Sequence, residues 1–554
     1  MIDMAASRYS FPYPVQELFA KRVAYFSMEF AIDQALKIYS GGLGFLAGSH
    51  LRSAYALGQH LVGVGMLWKL GYYDQGRNED QTLRVDWQQK LYAYLEDTGI
   101  TFTVRIHDAD VWVKAYYLPP HVFQSAPLYL LTTDVAENDY VSRTISHRLY
   151  DGNAATKLAQ YMVLGIGGGK LLDLLGYDAE IYHLNEAHAL PVAFHLLQKF
   201  NKDREALRQH LVFTTHTPEE AGNEKHPIDL CLEMGYFSGL AKPEVQEATG
   251  IDDGLFNLSL AALRLAKRAN GVSELHGHVA SEMWGKYDGI CDIDHITNAQ
   301  NYSYWADTEL YEAADRADDA RLAERKATLK RQTFLDVADQ TGRLFRPDVL
   351  TIVWARRFAG YKRADLLLRD RERFERLVTN TEYPVQIIWA GKPYPADQGA
   401  VDLFNSLVHL SHQYPNVAVL TGYELALSKL LKQGADIWLN NPRIPREASG
   451  TSGMTAAMNG ALNLSTNDGW IPEFIKPGVN GFLVPEADYQ HIGINEQDNH
   501  DAYYLYELLE EHVLPMYYER QHEWLALVKQ SMADVRTAFG SDRMAREYYE
   551  KLYV

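Results

Sequence analysis

The chain has 554 residues, 47% of them hydrophobic and 23% charged, which supplies a large core and excludes a disordered, collagen-like or coiled-coil protein. Lys plus Arg number 53 and Asp plus Glu 72, a formal net charge of −19, whereas a general nucleic-acid or anionic-membrane binder needs a basic face. The two cysteines, Cys231 and Cys291, are too few for a disulfide framework and stand in no metal-type spacing.

Short apolar or β-branched runs alternate with helix-period segments along the chain. In the first half, strands are expected at 23–27, 61–68, 181–184 and 211–215, with helices at 45–57, 190–200 and 258–269. A strand-rich stretch at 101–133 interrupts this alternation and reads as an insertion or an extra sheet edge. The apolar pattern stops near Asn298 to Trp305, and a charged segment at 307–336 reads as exposed helix. Strands then resume at 349–354, 385–389, 417–420 and 437–439, with helices expected from Tyr361, near Ala400 and from Leu425. The end, from about Ala502, is helical. Two successive βα series predict an α/β protein with two doubly wound, Rossmann-like domains, 1–305 and 306–554, around a cleft, the last helix packing back on the first domain. The N-terminus lacks the regions of a signal peptide and no apolar run is long enough to span a bilayer, so a cytoplasmic protein with no membrane partner is expected.

Four constellations carry chemistry. Ser40-Gly41-Gly42-Leu43-Gly44 opens a helix, where backbone can approach a ligand closely. It is not a dinucleotide fingerprint, and a plain tight turn is an equal reading. His216, in Thr214-Thr215-His216-Thr217-Pro218, closes a strand and points toward the expected cleft, although a lone histidine is more often a satisfied structural residue. The nearby His183 and His188 do not share a helical face as zinc sites require, so no metal is expected. Arg356-Arg357 and Lys362-Arg363 put four basic residues where an apolar strand ends. In an acidic protein that placement suits a phosphate, gripped bidentately by Arg and met by Lys as a point charge. Glu447 to Met454, EASGTSGM, offers small residues and hydroxyls opening a helix, a phosphate cradle by the logic of backbone amides and dipole.

Together these segments resemble the α-glucan phosphorylase family, which includes glycogen, starch and maltodextrin phosphorylases, in its shorter bacterial form. The resemblance is carried in order by YFSMEF, IYSGGLGFLAGSHLRSA, LVGVGMLWKLGYYDQ, YHLNEAHA, FTTHTP, KRANGVSELHG, RRFAGYKR and EASGTSGM. It implies a GT-B fold and retaining transfer of an α-1,4-linked glucosyl unit to phosphate, giving glucose 1-phosphate. By resemblance, Gly41, Gly42 and Leu43 lie in the loop over sugar and phosphate. His216 contacts the glucosyl unit, and Asn298, Glu447, Ser449 and Gly450 hydrogen-bond the sugar. Arg357 and Lys362 match the substrate-phosphate ligands. Arg356, with Gly450, Thr451 and Ser452, falls where the family holds its cofactor phosphate. The implied partners are α-1,4-glucan or maltooligosaccharide and phosphate or sugar phosphate, with no nucleic acid. The family also often forms homodimers.

One departure bears on the chemistry. After EASGTSGM the family carries the lysine that forms the Schiff base with pyridoxal phosphate; here the residue is Thr455, whose hydroxyl cannot form an imine. The next lysine in the segment is Lys476. No covalent pyridoxal phosphate is therefore expected, leaving non-covalent pyridoxal phosphate, inorganic phosphate or a nucleotide as occupants. Two smaller departures are Ala299-Gln300-Asn301 after the sugar-binding asparagine, and Ser49 where an aspartate is usual. Three readings follow: phosphorolysis without a Schiff-base cofactor; transfer from a nucleotide sugar, since Thr455 stands eight residues after Glu447 in the spacing of a Glu-x7-Glu pair; or glucan binding without turnover.

Overall fold

A strand covered by helices on both faces must be apolar along its whole length, and the strongest runs in this sequence behave so. Leu350–Ala355 and Val385–Ala390 are buried at all positions. The computed structural model describes residues 10–252 and 254–554. Contacts divide it into two units: one of residues up to Tyr73, Trp87–Asn298 and Ser541–Val554, the other of Asp74–Asp86 and Ala299–Gly540. The division thus falls at 298/299, with an excursion at 74–86, where one boundary at 305/306 was expected.

In the first unit the strands are β1 (Val23–Phe26), β2 (Leu61–Met66), β3 (Glu96–Ile106), β4 (Ala109–Leu118), β5 (Leu128–Thr132), β6 (Ile181–Asn185), β7 (Leu211–Thr214), β8 (Arg268–Gly271) and β9 (Asp292–His295). Their order is β9-β8-β7-β6-β1-β2-β5-β4-β3, parallel except that β4 runs antiparallel to both its neighbours, β3 and β5, at one edge. Strands β3, β4 and β5 occupy the stretch read as an extra edge at 101–133. Chain order reverses between β1 and β6, so the carboxyl ends of these strands form a topological switch point. The C-terminal segment joins this unit through Ser541 Oγ and Ser53 Oγ at 2.6 Å, and through Tyr553 OH and His183 Nδ1 at 2.8 Å.

In the second unit β10 (Leu350–Ala355), β11 (Val385–Ala390), β12 (Val417–Leu420), β13 (Ile437–Asn440), β14 (Leu462–Ser465) and β15 (Gly481–Leu483) form one parallel sheet, ordered β12-β11-β10-β13-β14-β15. This is the doubly wound order, with its switch point between β10 and β13. Residues 74–86 join this unit because Gln75 spans two of its loops: its amide donates to Gly391 O at 2.8 Å and accepts from Gly422 N at 3.0 Å. The fold is α/β and of the GT-B, phosphorylase-like kind. Among the described residues no helix is long and apolar enough to cross a membrane.

Three expected elements differ. The helix expected from Tyr361 is a 3-10 turn at Gly360–Lys362, followed by Arg363 at φ +52, and α-helix begins only at Arg371. The left-handed residue ends the turn so that Arg363 can enter the interior. The helix expected over 258–269 stops at Leu265, and Arg268–Gly271 is strand β8. The charged segment contains Thr308–Asp315 and a long helix, Asp319–Thr341, which buries Leu322, Leu329, Phe334 and Val337, so only its outer face is exposed.

Candidate active site

Both units place their candidate residues after the carboxyl ends of parallel strands. In the first unit, Glu29 follows β1 and is 2% exposed. Its carboxylate accepts from Ser40 N at 2.6 Å, Gly41 N at 3.0 Å and Tyr150 OH at 2.6 Å. Burial pushes its pKa up; the hydrogen bonds from Tyr150, Ser40 and Gly41 oppose that rise. Glu29 therefore pins the glycine loop. Gly41 caps α1 (Gly42–Ala56), with Gly42 and Leu43 in its first turn. A Cβ at Gly44 would lie 2.7 Å from Glu29 Oε2, whereas at Gly41 or Gly42 it would meet nothing within 4 Å. Only Gly44 is a packing requirement; the other two glycines leave backbone open.

His216, just after β7, is held from two sides. Its Nε2 lies 2.7 Å from Asn185 Oδ1, and its backbone N–H donates to Glu186 Oε2 at 2.8 Å. Asn185 in turn donates to Ser27 Oγ at 3.1 Å. Since the amide oxygen only accepts, Nε2 carries the proton. Burial, with His276 and His188 adding to it, pushes the His216 pKa down to about 3. The ring is neutral at working pH and acts as a hydrogen-bonding group. Asn298 is 4% exposed, and its Oδ1 has no hydrogen-bond partner among the described residues.

In the second unit, Arg356 and Arg357 leave the end of β10. Arg357 is exposed. Arg356 is 5% exposed: Nη2 donates to Leu439 O at 3.3 Å, and Nε has no hydrogen-bond partner among the described residues. The Lys362 ammonium sits 2.7 Å from Glu447 Oε2, with both side chains nearly buried. Burial alone would raise the Glu447 pKa, but Lys362, Arg356 and Arg357 hold it below the usual range. Arg363, the fourth basic residue, is turned inward. It donates to Asn441 O and Pro442 O and pairs with Asp498 at 2.9 Å and Asp501 at 2.7 Å. The basic run thus splits into three residues near Glu447 and one structural anchor.

The loop after β13 runs through Glu447 to α2 (Thr451–Ala457), by way of Gly450 at φ +95. A φ of this sign suits glycine. Ser449 is 4% exposed and its Oγ has no hydrogen-bond partner among the described residues. Thr451 and Ser452 open the helix, and the Ser452 hydroxyl accepts from Trp438 Nε1 at 3.4 Å. Thr455 is 1% exposed and its hydroxyl donates back to Ser452 O at 3.1 Å. With seven residues α2 is short, so side chains and the Gly450 turn, more than a dipole, shape this loop.

Sequence reasoning missed the turn that holds the loop. Asp468 accepts from Glu447 N at 2.8 Å and Gly469 N at 2.9 Å, and Trp470 N donates to Ser449 O at 3.0 Å. The Asp-Gly pair in TNDGW was the available signal. Burial, with the Glu447 charge adding to it, pushes the Asp468 carboxyl up to about 8, against the pull of its backbone donors. The folded state therefore keeps a proton that the unfolded chain loses near pH 4, and this group's contribution to stability falls as pH rises from about 4 to 8. Asp468→Asn, which mimics the protonated acid, should flatten that fall. Urea midpoints at pH 5 and pH 8 for both proteins measure it, and an unchanged slope in the variant would contradict the assignment.

A family model described as carbohydrate phosphorylase matches residues 294–476, which hold the basic cluster and the loop after β13. The maltodextrin phosphorylase of Thermococcus litoralis is 34% identical, over 96% of this chain and 70% of that protein. The chain belongs to the carbohydrate phosphorylase family. The glycogen phosphorylase of Aquifex aeolicus is 33% identical, over 97% of this chain and 87% of its own. An uncharacterized protein of Methanocaldococcus jannaschii is 46% identical, over 96% of this chain and its entire length. Within this family, the residues that leave β10 and β13 are those the resemblance assigned to phosphate and sugar.

Proposed function

We propose that the protein transfers an α-1,4-linked glucosyl unit from a glucan to phosphate with retention, releasing glucose 1-phosphate. The observation that carries this reading is the Arg356, Arg357, Lys362 and Glu447 cluster at the switch point of the second sheet. A glucan-binding protein without turnover has no use for a phosphate-sized group of cations around a buried carboxylate.

The physical roles follow from the groups present. As the glycosidic bond breaks, positive charge builds on the sugar ring and negative charge on the leaving oxygen. Arg357 and Lys362 hold phosphate oxygens in place beforehand, so little reorganisation accompanies that change. Glu447 stays ionised and accepts hydrogen bonds from sugar hydroxyls. Neutral His216, fixed through Asn185 and Glu186, and Asn298 orient the glucosyl unit. With no glycosidase-like carboxylate pair in this set, the substrate phosphate carries the proton to the leaving oxygen.

The residues in hand fit a second, cofactor phosphate. Arg356 Nε and Ser449 Oγ are buried with no hydrogen-bond partner among the described residues, and Arg356, Thr451 and Ser452 would hold such an anion. When bound, that phosphate supplies charge and proton-transfer capacity beside the substrate phosphate. Thr455 gives it no covalent anchor at that position.

The test is the reverse reaction with three donors. Maltooligosaccharide should be elongated from glucose 1-phosphate with release of phosphate, and not from ADP- or UDP-glucose. Elongation from a nucleotide sugar alone would establish the transferase alternative; glucan binding without turnover from any donor would establish the binding protein.

A further inference from the structure

A backbone at positive φ with ψ near 180° is almost confined to glycine, because a Cβ crowds the neighbouring peptide there. Where the chain leaves β11 at positive φ, the residue is indeed a glycine, Gly391 at φ +148. Glu186, the first residue after β6, has φ +68 and ψ 168 and is not glycine. Its surroundings hold it in that conformation. The Glu186 N–H donates to Thr214 O, at the end of β7, at 2.9 Å. Its Oε1 accepts from Ala187 N at 3.1 Å, and its Oε2 accepts from His216 N at 2.8 Å and from the Thr217 hydroxyl at 3.2 Å. One residue thus grips the chain on both sides of the point where it leaves β7. We propose that Glu186 is a positioning residue for His216, and that its glycine-type backbone is strain retained because the loop needs a carboxylate at that place.

Glycine at 186 would relieve the backbone, but it would leave two amides and a hydroxyl without their acceptor. The carboxylate is itself unfavourable there. Burial pushes its pKa up, against the hydrogen bonds from His216, Ala187 and Thr217. A turn that served only to end a strand would need neither the acid nor the strain. The preceding residue completes the arrangement, since Asn185 Oδ1 lies 2.7 Å from His216 Nε2. Two consecutive residues at the end of β6 therefore fix His216, Asn185 by its ring and Glu186 by its main chain.

The catalytic role of His216 rests on the phosphorylase reading, and the two fail separately. Glu186→Ala keeps the Cβ and removes the carboxylate; Glu186→Gly removes both. Strain predicts a higher thermal midpoint for Glu186→Gly than for Glu186→Ala, the reverse of the usual order. Equal midpoints, or a lower one for glycine, would overturn the proposal. Positioning predicts that both variants lose about 10²-fold in kcat, the order expected when a group at the reacting centre is misplaced by ~1 Å. The KM for phosphate should stay unchanged, because Arg357 and Lys362 belong to the second unit. An unchanged kcat would contradict the positioning role. Crystal structures of the unaltered protein and Glu186→Ala read the same point without turnover: the His216 ring should move away from Asn185, and a ring still at hydrogen-bond distance would refute the role. If the unaltered protein turns over no donor, the phosphorylase reading fails alone, while the midpoints and the ring position still decide this inference. Should neither variant fold, Glu186→Gln, which keeps one acceptor oxygen, carries the test: a lowered kcat with unchanged phosphate KM is expected, and an unchanged kcat would overturn the proposal.

Discussion

Lys362→Met is expected to lower kcat/KM for phosphorolysis by about 10²–10³-fold, the usual loss when one preorganised donor to developing charge is removed. The lysine has two tasks here. It offers a point charge to phosphate, and it neutralises Glu447 at 2.7 Å. Removing it leaves a buried carboxylate without its cation, which should cost about 3–5 kcal/mol of stability and raise the Glu447 pKa, because burial is then less opposed. The two effects separate in the double variant. Lys362→Met/Glu447→Gln should recover most of the lost stability, because no uncompensated charge remains, yet none of the lost rate. Thermal midpoints and steady-state kinetics on the unaltered protein, Lys362→Met, Glu447→Gln and the double variant form a double-mutant cycle. Recovery of rate in the double variant would mean that Lys362 acts only as a counter-ion.

Arg363→Leu should show the opposite balance: a loss of about 3–5 kcal/mol in stability, with kcat/KM per folded molecule nearly unchanged. Arg363 is buried and answers two carboxylates, Asp498 and Asp501, and two carbonyls, at Asn441 and Pro442. Those carbonyls belong to the loop after β13, so the arginine ties that loop to the helix carrying both aspartates. Arg363→Lys should recover little, because a point ammonium cannot satisfy the fork of planar donors. Urea unfolding of the three proteins measures this. A stable Arg363→Leu protein with lost activity would return Arg363 to the phosphate cluster.

The contrast between Lys362 and Arg363, adjacent in sequence, shows where the sequence was legible and where it was not. Strands β10 to β13 were readable because a strand covered on both faces leaves a continuous apolar run. The placement of Arg356 at a strand end followed from the βα order, whereas the switch point needed the strand order of the sheet. The fate of each basic residue did not, because it depends on a left-handed φ at Arg363 and on aspartates 135 and 138 positions downstream. Glu29 was inside a quoted motif, yet its role needs Tyr150, which only the fold brings near. Thr455 was legible only through the resemblance, as a departure from the family's motif. The strands at β3 and β4 have no functional account.

The central claim is that this chain retains phosphorylase chemistry although residue 455 is threonine. The most direct measurement is release of glucose 1-phosphate when the purified protein meets maltodextrin and inorganic phosphate, with and without added pyridoxal phosphate. The account predicts α-glucose 1-phosphate that requires both substrates and is lost in Arg357→Ala. No glucose 1-phosphate under either condition, from folded protein, would contradict it.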